Sequence, residues 1–115
     1  MIAVIFEVTP KDGERAAYLD IAAGLREELE TLPGFLSVER FESLTTPGKI
    51  LSLSFFESEE AVIAWRNRPN HRRAQAAGRA AHFADYRLRI AHVLRDYGMH
   101  ERAEAPTDAR AALEG

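Results

Sequence analysis

The chain has 115 residues and a formal net charge of −3, a length for one domain with a small core and a balance without the basic stripe that nucleic-acid binding needs. Its 46% hydrophobic and 29% charged residues are those of an ordinary globular protein. The absence of cysteine excludes disulfides, thiolate metal sites and thiol nucleophiles, and points to a reducing, cytoplasmic location.

Ile2-Ala3-Val4-Ile5-Phe6 follows Met1 directly, with no basic region before it. Glu7, Thr9 and Pro10 end the run too early for a signal h-region or a membrane span, so a soluble protein with no membrane partner is expected. Residues 2–8, apolar except for Glu7, predict a strand covered on both faces. Thr9-Pro10 predicts the opening of a helix, Thr as N-cap and Pro in the first turn. Tyr18, Ile21, Ala22, Leu25, Leu29 and Leu32 then recur at helical spacing, with Arg26, Glu27, Glu28 and Glu30 facing water. Leu32-Pro33-Gly34 stops that helix.

Residues 35–41 read as a second strand and residues 50–56 as a third, antiparallel across the turn Thr46-Pro47-Gly48-Lys49. In the third, Leu51, Leu53 and Phe55 take one face and Ser52 and Ser54 the other. Ser58 is an N-cap, with Glu59 and Glu60 suited to the positive end of the helix that follows. Asn67-Arg68-Pro69-Asn70 breaks that helix, and the Ala-rich stretch 71–81 continues helical. Residues 84–96 predict a fourth strand, with Tyr86, Leu88, Ile90, His92 and Leu94 on one face. Beyond Gly98 the composition turns Ala-, Glu- and Pro-rich. That divides the chain into a domain over 1–98 and a tail over 99–115, expected to be poorly ordered or to lie against a neighbour.

The order is βαββαβ, an α+β, ferredoxin-like plan with both helices on one face of an antiparallel sheet. The other sheet face is apolar too: Ala3 and Ile5 alternate with Val4 and Phe6, and Ile50 and Phe56 lie opposite Leu51 and Leu53. A second copy is the simplest cover for it, which predicts a homodimer.

The residues with chemical potential each have two readings. Trp65 offers an indole N–H or a flat wall to an aromatic ligand, or it fills the core between helix and sheet. His71 serves as a general base or axial ligand, or it lies on a solvated helix face; Gln75, Gly78 and His82 continue its stripe. Arg87, Arg89 and Arg95 alternate on the last strand, there to stabilise an enolate or to form salt bridges across a dimer, to Glu39 or Glu42. His92 reads as a hydrogen-bonding core or interface residue, and His82 and His100 as surface residues. Ser52 and Ser54 share a face, but no base or nucleophile elbow accompanies them. Arg66, Arg68, Arg72 and Arg73 form a basic cluster that Glu57, Glu59 and Glu60 offset, so a solvated helix face is expected. No phosphate loop, dinucleotide fingerprint or zinc spacing occurs.

The opening strand, Leu32-Pro33-Gly34-Phe35, Phe55-Phe56-Glu57 before the Trp65 helix, His71 and the long final strand resemble, in this order, the antibiotic biosynthesis monooxygenase (ABM) family over residues 1–98. The resemblance implies a dimeric α+β barrel built from two ferredoxin-like domains. It implies a small monooxygenase that oxidises a reduced aromatic ligand, a quinol or anthrone, with O₂ and without metal or cofactor. On that reading Trp65 positions the substrate, His71 is the base and Arg89 stabilises the anion. The quinol-oxidising branch carries an Asn one turn before the Trp, where this chain has Ala61. The heme-degrading branch uses an Asn on the first strand and a His ten residues after the Trp. Here the strand ends Phe6-Glu7-Val8 and Gln75 stands at the tenth position, with His71 six residues on. Heme binding or degradation is therefore the alternative, and a dimeric small-ligand-binding protein without turnover is a third reading.

Overall fold

A computed structural model of the protein describes residues 1–114. The elements are β1 (Ile2–Pro10), α1 (Arg15–Leu29), β2 (Phe35–Glu42), β3 (Ile50–Phe56), α2 (Glu59–Arg66), α3 (Pro69–Ala77), β4 (Phe83–His92) and α4 (Thr107–Glu114). A π-helical turn, Gly78–His82, joins α3 to β4. The four strands form one antiparallel sheet in the order β2-β3-β1-β4. This is the expected α+β ferredoxin-like architecture.

The register assigns every strand residue to a face. Val4 pairs with Ser54 and Ile90, Phe6 with Ser52 and Leu88, and Val38 and Arg40 with Ser54 and Ser52. These residues share the face that carries the helices. One core cluster joins Leu29 and Leu32 to Val38, Phe56, Val62 and Trp65; a second joins Val8, Tyr18, Ala22 and Ile50. The α1 stripe read from the sequence thus supplies both clusters. Ser58 caps α2 by accepting the Ala61 N–H at 3.2 Å. Gly34 (φ +86°) turns α1 into β2, and a Cβ there would meet the Ala61 methyl at 2.8 Å, so only glycine fits.

The opposite face carries Ala3, Ile5, Leu51, Leu53, Phe55 and Phe41, the last 42% exposed. Among them, Glu7 accepts from Lys49 Nζ at 2.5 Å and Arg89 Nη1 at 2.6 Å.

Several expectations need correction. Thr9-Pro10 does not open a helix; it ends β1, where the register with β4 shifts between Thr9 and Pro10. Proline has no N–H to give a ladder, and a strand end with an irregularity tolerates it. Gly13 (φ +81°) makes the turn, and α1 starts at Arg15. The helical stretch expected over 71–81 is α only to Ala77 and then widens into the π turn. β4 stops at His92, not at residue 96. Its partner strand begins at Ile2, and the ladder closes with Val93 N–H donating to the Met1 carbonyl at 3.0 Å. Leu94, 80% exposed, and Arg95 therefore lie beyond the sheet, and His92 sits exposed at its end rather than among apolar neighbours. In the tail, α4 forms where no element was expected, and Ala105 is buried. Glu104 accepts the Asp96 N–H at 3.1 Å, which turns the tail back on itself.

Candidate functional site

Between the sheet and the helices lies a cavity of about 150 Å³, room for on the order of ten water molecules. Its floor is the inner sheet face: Val4, Phe6, Val38, Arg40, Ser52, Ser54, Leu88 and Ile90. Its roof is Tyr18, Ile21, Ala22, Leu25 and Leu29 from α1, Val62, Trp65 and Arg66 from α2, and His71, Ala74 and Gln75 from α3. Gly78 and Phe83 close one side. The walls are apolar with a few converging polar groups, the composition of a small-molecule site.

The cavity exists because α2 and α3 are two helices rather than one. Pro69 starts α3 at its first position, so α3 sets off in a new direction. Glu28 anchors that start, accepting from Asn70 Nδ2 at 3.1 Å and pairing with Arg68 Nη1 at 3.5 Å. Glu28 is thus half-buried and engaged, not water-facing as its place on α1 suggested. The basic cluster is likewise engaged in part: Arg72 donates to Asn67 and Arg73 to Asn70.

Trp65 and His71 meet in this cavity, ring centroids 5.0 Å apart and planes inclined at 55°. Trp65 belongs to the core, 8% exposed within the first cluster, and also borders the cavity. His71 Nδ1 is buried and makes no hydrogen bond among the described residues. Its pKa lies below the ordinary histidine value. Burial is the main cause and the Arg72 charge adds to it; the Arg66 backbone and the Glu28 carboxylate oppose it. Burial thus favours the neutral form of the imidazole. Gln75 and Gly78 continue the stripe into the cavity as the spacing suggested. His82 turns away, its Nδ1 2.7 Å from the Glu14 carboxylate.

Arg89 is not brought to Trp65 and His71. It stands on the opposite sheet face, bonded to Glu7 within the same chain rather than to Glu39 or Glu42. Arg87, two residues away, shares that face. The cation on the cavity floor is Arg40 of β2, whose face-sharing with Val38 follows from simple strand alternation. Its guanidinium lies beside the Tyr18 hydroxyl, whose pKa is raised by burial against the lowering effect of Arg40. Sequence reasoning placed both residues in elements but singled out neither. Strand alternation puts Arg40 on the face of Val38, but no local signal says that this face lies beneath the helices.

Gly78 has a packing role besides its place in the His71 stripe. A Cβ there would lie 2.3 Å from the Phe83 ring, and that ring is held by Phe6 and Tyr18 at 5.9 Å and Tyr86 at 6.0 Å. Among the described residues, no group of three or more His, Asp or Glu side chains comes together as a metal site requires, and no helix is long and apolar enough to cross a membrane.

Comparison with known proteins agrees with this architecture. The family model described as antibiotic biosynthesis monooxygenase matches residues 1–77. Jasmonate monooxygenase ABM of Pyricularia oryzae is 41% identical over 111 residues, which are 96% of this chain and 52% of that protein. The chain thus spans about half the length of this relative. The protein YqjZ of Bacillus subtilis is 29% identical over 79% of the chain and 77% of its own length. The structure of Rv0793 from Mycobacterium tuberculosis superposes with a TM-score of 0.75 at 18% identity, covering 84% of this chain and 98% of that one.

Proposed function

The chain belongs to the antibiotic biosynthesis monooxygenase family, and from that premise we propose that the cavity between sheet and helices is the reaction chamber of a small monooxygenase. Its substrate is a reduced aromatic, a quinol or anthrone, and its oxidant is O₂. The observation that carries this reading is the pairing of Trp65 with His71, whose Nδ1 is buried without a hydrogen-bond partner among the described residues, in a largely apolar cavity.

In the proposed reaction His71 accepts a proton from the bound substrate and leaves an electron-rich carbanion. The carbanion reduces O₂, recombination gives a peroxide anion on the substrate carbon, and the proton held by His71 returns to it to give the hydroperoxide. Loss of water then leaves one oxygen atom as a carbonyl and releases the other in water. The substrate supplies all the electrons, so this scheme needs no cofactor. Trp65 offers its ring face to the aromatic body and its indole N–H to a substrate oxygen. Stabilisation of the anion, first expected from Arg89, falls in this proposal to Arg40, because Arg89 is on the other side of the sheet. A base of this kind typically contributes 10²- to 10⁴-fold.

The test is O₂ uptake with anthrone as substrate. Saturable uptake reduced about 100-fold or more in His71→Ala supports the assignment; equal rates in the two proteins reject it. Hemin in place of anthrone probes the alternative. A saturable spectral change lost in His71→Ala would replace the quinol reading with a heme site.

The same proposal includes a homodimer formed through the outer sheet face. The apolar row Ala3, Ile5, Leu51, Leu53 and Phe55 supports it. Light scattering of wild type and Leu53→Lys tests it, the variant being expected as a monomer. A cytoplasmic location is proposed from the cysteine-free composition and is checked by cell fractionation.

A further inference from the structure

Arg40 is out of place in its surroundings. It is half-buried on the floor of an apolar cavity, its Nε is buried without a hydrogen-bond partner, and it forms no ion pair among the described residues. The acid nearest on its own strand face, Glu42, is engaged by Arg15. Glu39 points to the other face, and no Asp or Glu lines the cavity. A guanidinium cannot shed its charge, and here the Tyr18 hydroxyl answers part of the fork while the buried Nε has no partner and no carboxylate balances the charge. Beside it, Tyr18 offers a hydroxyl that burial keeps protonated at neutral pH, and Ser52, directly opposite Arg40 in the ladder, offers a second. Three donors thus lie on one part of a chamber whose other polar lining is Ser54, Arg66, His71 and Gln75.

We propose that Arg40, with Tyr18 and Ser52, is a carboxylate-recognition point, and that the natural substrate is a reduced aromatic that carries one carboxylate. A planar guanidinium fork matches a carboxylate in a way that a hydroxyl or ketone cannot. The position also orients the ligand. Arg40 lies two residues along β2 from Val38, which packs in the same cluster as Trp65; that is about 7 Å of strand. A carboxylate at Arg40 sets a ring directly attached to it toward Trp65 and His71. The inference rests on the cavity being the ligand site, as proposed above, but not on turnover.

The experiment is a binding titration followed by the fluorescence of Trp65, the sole tryptophan of the chain, and by calorimetry. The probes are 2-naphthoate and 9-anthracenecarboxylate, each against its uncharged methyl ester. Wild type is expected to bind each acid roughly 10- to 100-fold more tightly than its ester. Arg40→Met should erase that preference, acid and ester then binding alike, and Arg40→Lys should restore part of it, since charge returns without the fork. Acid and ester binding equally to wild type, with Trp65 quenched by both, would overturn the inference and leave the chamber reading intact. No binding by any of the four probes would remove the chamber reading and the inference with it. The wild-type comparison stands even where a variant fails to fold.

Discussion

Substituting Gly78 by alanine sets two physical effects against each other. In an exposed helix interior the change stabilises by about 1 kcal/mol, because alanine is the better helix former. Here the added methyl would stand 2.3 Å from two atoms of the Phe83 ring, more than 1 Å inside ordinary carbon–carbon contact. The ring has little freedom to yield, since Phe6, Tyr18 and Tyr86 surround it at 5.7–6.0 Å from one another or from Phe83. Overpacking of this kind costs about 1–3 kcal/mol, and a displacement this large belongs at the upper end. The net expectation is a loss of about 1–2 kcal/mol, a fall in Tm of roughly 4–8 °C for a chain of this size. Thermal unfolding followed by far-UV circular dichroism measures it. Phe83→Leu should relieve the clash, so the double variant should lose less than the two single losses combined, by roughly 0.5 kcal/mol or more. A Tm raised by Gly78→Ala, or strict additivity in the double variant, would refute the steric reasoning and return the site to simple helix propensity.

His71 should titrate below the ordinary histidine range, near 6.5, because burial disfavours its charged form. Between its folded and unfolded pKa values the unfolded chain binds more protons, so stability should rise with pH below about 6.5 and this contribution should level off above it. Denaturant midpoints from pH 5 to 7.5 in wild type and His71→Gln check this, the variant lacking the slope. Ser58→Ala removes the acceptor of the Ala61 N–H and should cost about 1 kcal/mol, read as a lower urea midpoint with an unchanged slope.

Much of the fold was written in local patterns. The alternation of Leu51, Leu53 and Phe55 with Ser52 and Ser54, the α1 stripe and the Ser58 cap each depend on residues close in the chain, and each is where the spacing put it. What was not legible depends on partners far along the chain. Pro10 ends a strand because β4 pairs with β1 that far, and β4 ends at His92 because β1 has no residue left to pair. Arg89 was assigned to the site because both sheet faces carry apolar residues, so alternation could separate Arg87 and Arg89 from Leu88 and Ile90 without saying which set met the helices. The register resolves it: Leu88 and Ile90 line the cavity. Arg40 was missed for the converse reason, since nothing local distinguishes a cation beneath a helix from one on an open edge strand. Trp65 and His71 were legible from their order, but their meeting at 5.0 Å depends on the break at Pro69 and on Glu28 holding the start of α3.

If the cavity is a chamber where a bound substrate meets O₂, an anaerobic titration followed by admission of air shows it most directly. Anthrone added without oxygen should quench Trp65 saturably at one molecule per chain. Admitting air should then consume one O₂ per anthrone, with recovery of fluorescence as product leaves, and His71→Ala should bind but not turn over. Oxygen uptake at the rate of buffer alone, or quenching that never saturates, would contradict the account.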